Sequence, residues 1–294
     1  DGTNSTSQTI TVTIVDVDDT APVFTSSASF SAAENQTSIG TVTATDTDTD
    51  DSSIVFSVSG SELAITSGGV LTFVSAPDYE TKSSYSATVT ASDGTNSSTQ
   101  DITVNVTNVN DNTPSITSSA TFSASENQTA IGTVTATDED GDTIGFSLSG
   151  TDASSMSINS SSGVLTFNSA PDYETKSSYS ATVTASDGTN STSQTITVTI
   201  VDVDDVAPVF TSNATFSATE NQTSIGTVTA TDTDTDDSSI MFSVSGSELS
   251  ITSGGVLTFA SAPDYETKSS YSATVTASDG TNSSTQDITV NVTN

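Results

Sequence analysis

Carboxylates dominate the polar chemistry of this 294-residue chain: 37 Asp and Glu stand against 3 Lys and Arg, and His and Cys are absent. They are not spread evenly. They gather at Glu34 in AAENQT, at Asp78 and Glu80 in PDYE, at Asp46 and Asp48 in TDTD, at Asp93 in ASDG, and in the runs DVDD (16–19) and NVND (108–111). Such clusters, mixed with amide and backbone oxygens, suit a hard cation, and Ca²⁺ takes about six to eight oxygens of this kind. A solvating acidic surface would explain any single Asp, but not five clusters recurring in phase. Without His or Cys, general-base catalysis would fall to carboxylates that a cation already holds. A formal charge of -34 repels nucleic acid and anionic membrane, and it opposes compaction unless cations neutralise it.

Positioning these clusters is the work of a repeat. The phrase PDYETKSSYSATVTASDGTN recurs whole around Pro77, Pro171 and Pro263, and Glu34, Glu126 and Glu220 are spaced by 92 and 94 residues. That is the size of one seven-stranded sandwich of about 100 residues. The expected units are 20–111, 112–205 and 206–294, preceded by 1–19. They alternate in type, since 20–108 and 206–294 differ at only seven positions while the middle unit carries DEDGD at 138–142. Alternation would separate near-identical neighbours and lower the risk of strand exchange. Residues 1–19 repeat 187–205 identically, so the chain reads as a cut from a longer protein that opens on an orphan last strand and linker. That strand is expected to be disordered or to pair with a neighbouring molecule.

Within each unit, Val, Ile, Phe, Thr and Ser alternate between turn signals, which predicts strands at 38–45, 54–59, 69–74, 84–92 and 102–107. Tyr85, Ala87, Val89 and Ala91 share one face, as do Ile102, Val104 and Val106. These faces make small cores, in keeping with 32% hydrophobic residues. The acids then fall at strand ends and loops, where several converge at a pole. No stretch is long and apolar enough for a membrane span, and no disulfide staples the units.

The chain resembles the cadherin repeat family over all three units. The resemblance rests on XEN (Glu34-Asn35, Glu126-Asn127, Glu220-Asn221), on DYE where the family has DRE, on the linkers VNDNTP and VDDTAP, and on the DXD and ASDG segments. It implies an all-β architecture of tandem seven-stranded Greek-key β-sandwiches, cadherin or Ig-like, arranged as an elongated rod of well over roughly 100 Å at ~3.3 Å per strand residue. It also implies about three Ca²⁺ per inter-repeat junction. The first complete junction would use Glu34, Asp78, Glu80, Asn108, Asn110, Asp111, Asn112, Asp138, Asp140 and Asp187. The second would use Glu126, Asp172, Glu174, Asp202, Asp204, Asp205, Asp232, Asp234 and Asp279. Asp16, Asp18, Asp19, Asp46, Asp48 and Asp93 would serve the junction ahead of the first unit.

Departures from the family pattern refine these expectations. Tyr79, Tyr173 and Tyr265 replace the Arg of DRE and would pack on the sandwich surface. Asn108 stands where the family usually has Asp, so the first junction should load less readily than the second, where Asp204 adds a charge. With no Trp, Trp-anchored strand exchange is excluded. Lys82, Lys176 and Lys268 read as solvent-facing, with a Ser-Lys pair at Ser83 or Ser84 as the rival. Sequons such as Asn35, Asn96 and Asn213 are expected by chance in so Ser/Thr-rich a chain.

The expected function is a calcium-rigidified extracellular stalk, filament or adhesin segment of a large, bacterial-type cell-surface protein, and not an enzyme. The alternative is a carbohydrate-binding or homophilic recognition module. Expected partners are adjacent repeats of the same long chain, identical chains or surface glycans, with no nucleic acid and no membrane insertion in this segment.

Overall fold

Alternation along the two longest strands of each repeat decides where the core lies. In the first repeat, β1 (Val23–Phe24), β2 (Ser29–Ala33), β3 (Ser38–Thr41), β4 (Ala44–Thr45), β5 (Val55–Val58), β6 (Leu63–Ile65), β7 (Val70–Phe73), β8 (Ser84–Ser92) and β9 (Ser97–Thr107) account for the strands. This is a computed structural model that describes residues 2–294. One sheet runs β2-β9-β8-β5 and the other β3-β7-β6, with a small β1-β4 pair beside them. The first sheet closes by a parallel pairing of β2 on β9, from Ser29↔Thr103 to Ala33↔Thr107, which joins the two ends of the repeat in Greek-key fashion. Counting the interrupted pairs β1/β2 and β3/β4 as one strand each gives the seven-stranded sandwich.

The inward positions are those the alternation assigns. Val89, Ala91, Ile102, Val104 and Val106 are buried, with Leu71 and Phe73 facing them from the second sheet. Each buried Val, Leu or Phe side chain contributes about 1.5–3 kcal/mol, so a core of these few residues carries a small sandwich without a disulfide. Equivalent clusters form around Leu165, Val183 and Ile196 in the middle repeat and around Leu257, Val275 and Ile288 in the third.

The chain divides into two compact units, one running up to Pro114 and taking in Asp138–Thr143, the other Ser115–Thr137 with Ile144–Asn294. In the second unit the larger sheets order as Thr121–Ser125, Ser191–Val201, Ser178–Ser186, Gly145–Ser149 and, in the third repeat, Thr215–Thr219, Ser283–Thr293, Ser270–Ser278, Met241–Val244. Both repeat the order of the first sandwich.

The sequence expectation is corrected in its strands, where β1, β2 and β6 were not expected and β9 starts at Ser97 rather than 102, and it is extended in two other details. The strand expected at 38–45 is split, because Val42 N–H leaves the ladder to bond the carbonyl of Gly69 and the register shifts at Gly40. The orphan segment carries no strand as far as Pro22 among the described residues, and Ile10, Val12 and Ile14 are exposed, whereas the identical Ile196, Val198 and Ile200 are buried. Its last residues are nonetheless held: Asn96 Nδ2 donates to Asp18, and Asp19 N–H to Asp48. The lysines face solvent as expected, and each also has partners. Lys82 bonds Glu62 and lies 4.3 Å over the Tyr85 ring, with Lys176 on Asp152 and Tyr179 and Lys268 on Glu248 and Tyr271 in the same arrangement. A lysine held this way is a surface strut.

Candidate metal centres at the repeat junctions

Each junction is built from four kinds of segment: the Glu-Asn turn after the second strand, the PDYE loop, the linker leaving the last strand, and the acidic loop that carries Asp140 or Asp234. In the first, Glu34 is 4% exposed, and a buried carboxylate is tolerated only when hydrogen-bonded. Its Oε2 accepts Tyr79 N–H and its Oε1 accepts Val109 N–H, both at 2.7 Å. Carboxylate oxygens of Glu34, Glu80, Asp111 and Asp140 come within 4.8 Å of one another. Asp140 accepts the amides of Asp111 and Asn112, and Asn108 Nδ2 donates to its carbonyl oxygen at 2.9 Å. The loop also gathers Asp138, Asp140 and Asp142. Both Asp138 oxygens are buried without a hydrogen-bond partner. An open cavity of about 380 Å³ is lined by Asp78, Glu80, Thr81, Asn112 and Glu139.

The second junction follows the same plan with a different grouping. Glu126 accepts Tyr173 N–H and Val203 N–H at 2.7 Å, and it clusters with Asp172 and Glu174. From the third repeat, Asp234 accepts the amides of Asp205 and Val206, both at 2.8 Å, and Asn282 Nδ2 reaches Asp204 at 3.2 Å. Buried and unpartnered oxygens remain on Asp232, Asp234 and Asp279. Ahead of the first repeat, Asp48 accepts the amides of Asp19 and Thr20, while Asp46 and Asp93 each keep one buried unpartnered oxygen.

Not every expected ligand converges. Asp16 is exposed and falls in no group, and Asp78 also falls in none, its oxygens accepting the Thr81 amide and hydroxyl of its own turn. Asp93, Asp187 and Asp279 each turn one oxygen to the two following amides of the ASDGTN loop. Asn110 has its own partner, and Asp202 lies beside Glu126 and Asp234. Sequence reasoning missed Glu139 and Asp142, the group Glu220, Asp264 and Glu266, and the amide donors Asn35, Asn127, Asn96 and Asn282. The whole-phrase recurrence of ENQT and ASDGTN was the signal for those donors.

Crowding shows in the proton affinities. Partial desolvation, then the charges of Glu34 and Asp140, push Glu80 up. Partial desolvation, then Glu126 and Asp234, push Asp202 up. Glu174 is also raised: a backbone hydrogen bond lowers it, but desolvation and the charges of Glu126, Asp202 and Asp172 outweigh that. Asp232 is raised by desolvation and by its bond to Asp234. Asp48 moves the other way, held well below the usual range by the Thr20 hydroxyl and by hydrogen bonding to Asp46. Orphaned buried oxygens beside carboxylates that resist ionisation form a donor set suited to a hard divalent cation.

The Cadherin domain family profile matches residues 27–107, 120–201 and 213–293. The chain belongs to the cadherin family. Its three cadherin repeats are similar to a stretch of human Cadherin EGF LAG seven-pass G-type receptor 1, 31% identical over 70% of this chain and 8% of that protein, and of human Protocadherin Fat 4, 32% identical over 76% of this chain and 5% of that protein. The chain therefore spans under a tenth of the length of these relatives. Among solved structures, mouse Cadherin-23 EC22-24 shares the fold with a TM-score of 0.72 at 24% identity, covering 94% of this chain and 99% of that one. Protocadherin Gamma B2 extracellular cadherin domains 1-5 give 0.71 at 26% identity, covering 95% and 61%. The segment is extracellular in kind, no helix among the described residues is long and apolar enough to cross a membrane, and cadherin repeats are structural and adhesive modules that take Ca²⁺ at their junctions.

Proposed function

We propose that this segment is a calcium-stiffened spacer in a large adhesive surface protein, with no catalytic role, each junction changing from a compliant to a firm joint as cations load. The observation that carries this is the set of buried, unpartnered carboxylate oxygens on Asp138, Asp232, Asp234 and Asp279, beside acids whose charges already raise one another's proton affinity. Glu34, Glu80, Asp111 and Asp140 would hold ions at the first junction, and Glu126, Asp172, Glu174 and Asp205 with the Asp232–Asp234 loop at the second. The cation would supply positive charge at the cluster. About three ions per junction, the repeat boundaries 20–111, 112–205 and 206–294, and a bacterial-type parent are parts of the same proposal. So is association with identical chains, a mode that the protocadherin gammaB7 cis-dimer illustrates for that protein.

Small-angle scattering tests the joint: EGTA is expected to change the maximum dimension of the chain and calcium to restore it, and an unchanged dimension overturns the stiffening. Calcium affinity should also depend on pH. Acids with raised proton affinity bind protons more readily in the folded junction than in the unfolded chain, so their contribution to stability is present at low pH and lost as pH rises through the raised range. Protons then compete with the cation. Calorimetry should show weaker calcium binding at about pH 5 than at about pH 7, with protons released on binding, and equal affinity at both would contradict the assignment.

A further inference from the structure

The linker is gripped by groups that need no cation. Glu126 is 2% exposed, and its two oxygens take the amides of the PDYE loop and the linker, Tyr173 and Val203, from positions 47 and 77 residues away. An ionised carboxylate has about four acceptor positions, so these two bonds still leave room for a ligand. Glu34 repeats the arrangement with Tyr79 and Val109. Glu220 repeats the PDYE half of the arrangement, accepting Tyr265 N–H at 3.2 Å.

The next residue adds a second grip. Asn35, Asn127 and Asn221 are the non-glycine residues with positive φ among those described, at 62°, 59° and 59°. Backbone in that region is costly for most side chains and is kept where its surroundings require it. Here Asn127 Nδ2 donates to Asp205 Oδ2, and Asn35 Nδ2 donates to Asp111. Asp205 is also held from the third repeat, through its own amide on Asp234.

We infer that Glu126 with Asn127, and Glu34 with Asn35, form a cation-independent clasp that sets the path of the linker before any ion binds. Neutral amide donors seat the carboxylates without cancelling their charge. A cation then neutralises a junction already in register, and chelation loosens the joint without releasing the linker. The clasp is stated for the cation-free chain, so it stands or falls separately from the calcium reading.

Amide hydrogen exchange on the full chain in EGTA tests it. The amides of Tyr173, Val203, Asp205 and Val206 are expected to exchange about tenfold to a hundredfold more slowly than in an unstructured chain, the range given by hydrogen bonds to charged groups. Glu126→Ala should remove protection at both Tyr173 and Val203. Glu126→Gln, with one acceptor oxygen, should retain one of the two. Asn127→Gly, which keeps positive φ, should raise exchange at Asp205 and spare Val203. Protected amides at Val183 and Ile196 report that the sandwich stays folded in each variant. Val203 exchanging at the unstructured rate in EGTA, or gaining protection only when calcium is added, would overturn the clasp.

Discussion

Asp205→Ala is expected to weaken calcium binding at the second junction by on the order of a hundredfold while leaving the first unchanged. Losing even an outer partner of a bound metal costs about 10–100-fold, and Asp205 occupies the place of Asp111, whose carboxylate lies in the tight group with Glu34, Glu80 and Asp140. Extracellular sites start near ~10⁻⁴–10⁻³ M, so the variant should fail to saturate at ordinary millimolar calcium. Asp205→Asn should fall between, because its side-chain oxygen can still accept from Asn127 while the charge is gone. Calorimetric titration of the three chains decides it, and equal affinities would remove Asp205 from the ligand set.

The same titration reads the inequality of the two junctions. Asp202 sits in the negative field of Glu126 and Asp234, and Asn108 stands at the equivalent place with its amide donated to the Asp140 carbonyl. At this one position the first junction lacks a carboxylate that the second has, although Glu34, Glu80, Asp111 and Asp140 still converge there. The expectation that the first junction loads less readily rests on this position, where the Asn also supplies a hydrogen bond that an Asp could not.

The long strands and their inward faces were legible because period-two alternation directly reflects burial: Val89, Ile102 and Val104 are core residues on pattern alone, whereas the short strands β1, β2 and β6 carry too few residues to show it. What was not legible depends on partners distant in the chain. Residues 187–205 and 1–19 have one sequence, yet Ile196 is buried between paired strands and Ile10 is exposed, so packing decides the state of this strand. The split of the 38–45 strand comes from a carbonyl at Gly69, beyond any local window. At the junctions the acids could be found by type, but not which oxygens are spent on amides. Asp78 looks equivalent to Glu80 in sequence, and only the contacts show that its oxygens accept the Thr81 amide and hydroxyl while Glu80 groups with Glu34, Asp111 and Asp140. The lysines face solvent as expected, but their partners were not legible for a related reason, since Glu62 lies 20 residues from Lys82.

Gly163→Ala should be the most damaging single methyl group in the middle repeat. Gly163 has φ +69°, and a Cβ there would lie 2.1 Å from the carbonyl oxygen of Val134. Backbone, not a flexible side chain, is in the way, and Val134 N–H is itself bonded to the Gly163 carbonyl at 2.9 Å. The clash cannot relax without opening the point where the two halves of the interrupted strand meet. Gly188 separates the two causes: its φ is +100° with no atom within 4 Å of the added Cβ, so Gly188→Ala incurs conformational strain alone. Strain of that kind costs about 1–3 kcal/mol, and the clash should bring Gly163→Ala above about 3 kcal/mol. For a domain near this size about 1 kcal/mol moves Tm by roughly 4–8 °C, so the melting of the middle repeat should fall by more than about 10 °C for Gly163→Ala and by less for Gly188→Ala. Equal shifts would mean that φ alone decides and that the close approach to Val134 is soft. The equivalent contacts of Gly69 with Val42 and Gly255 with Val228, each 2.2 Å from the added carbon, predict the same ordering in the outer repeats.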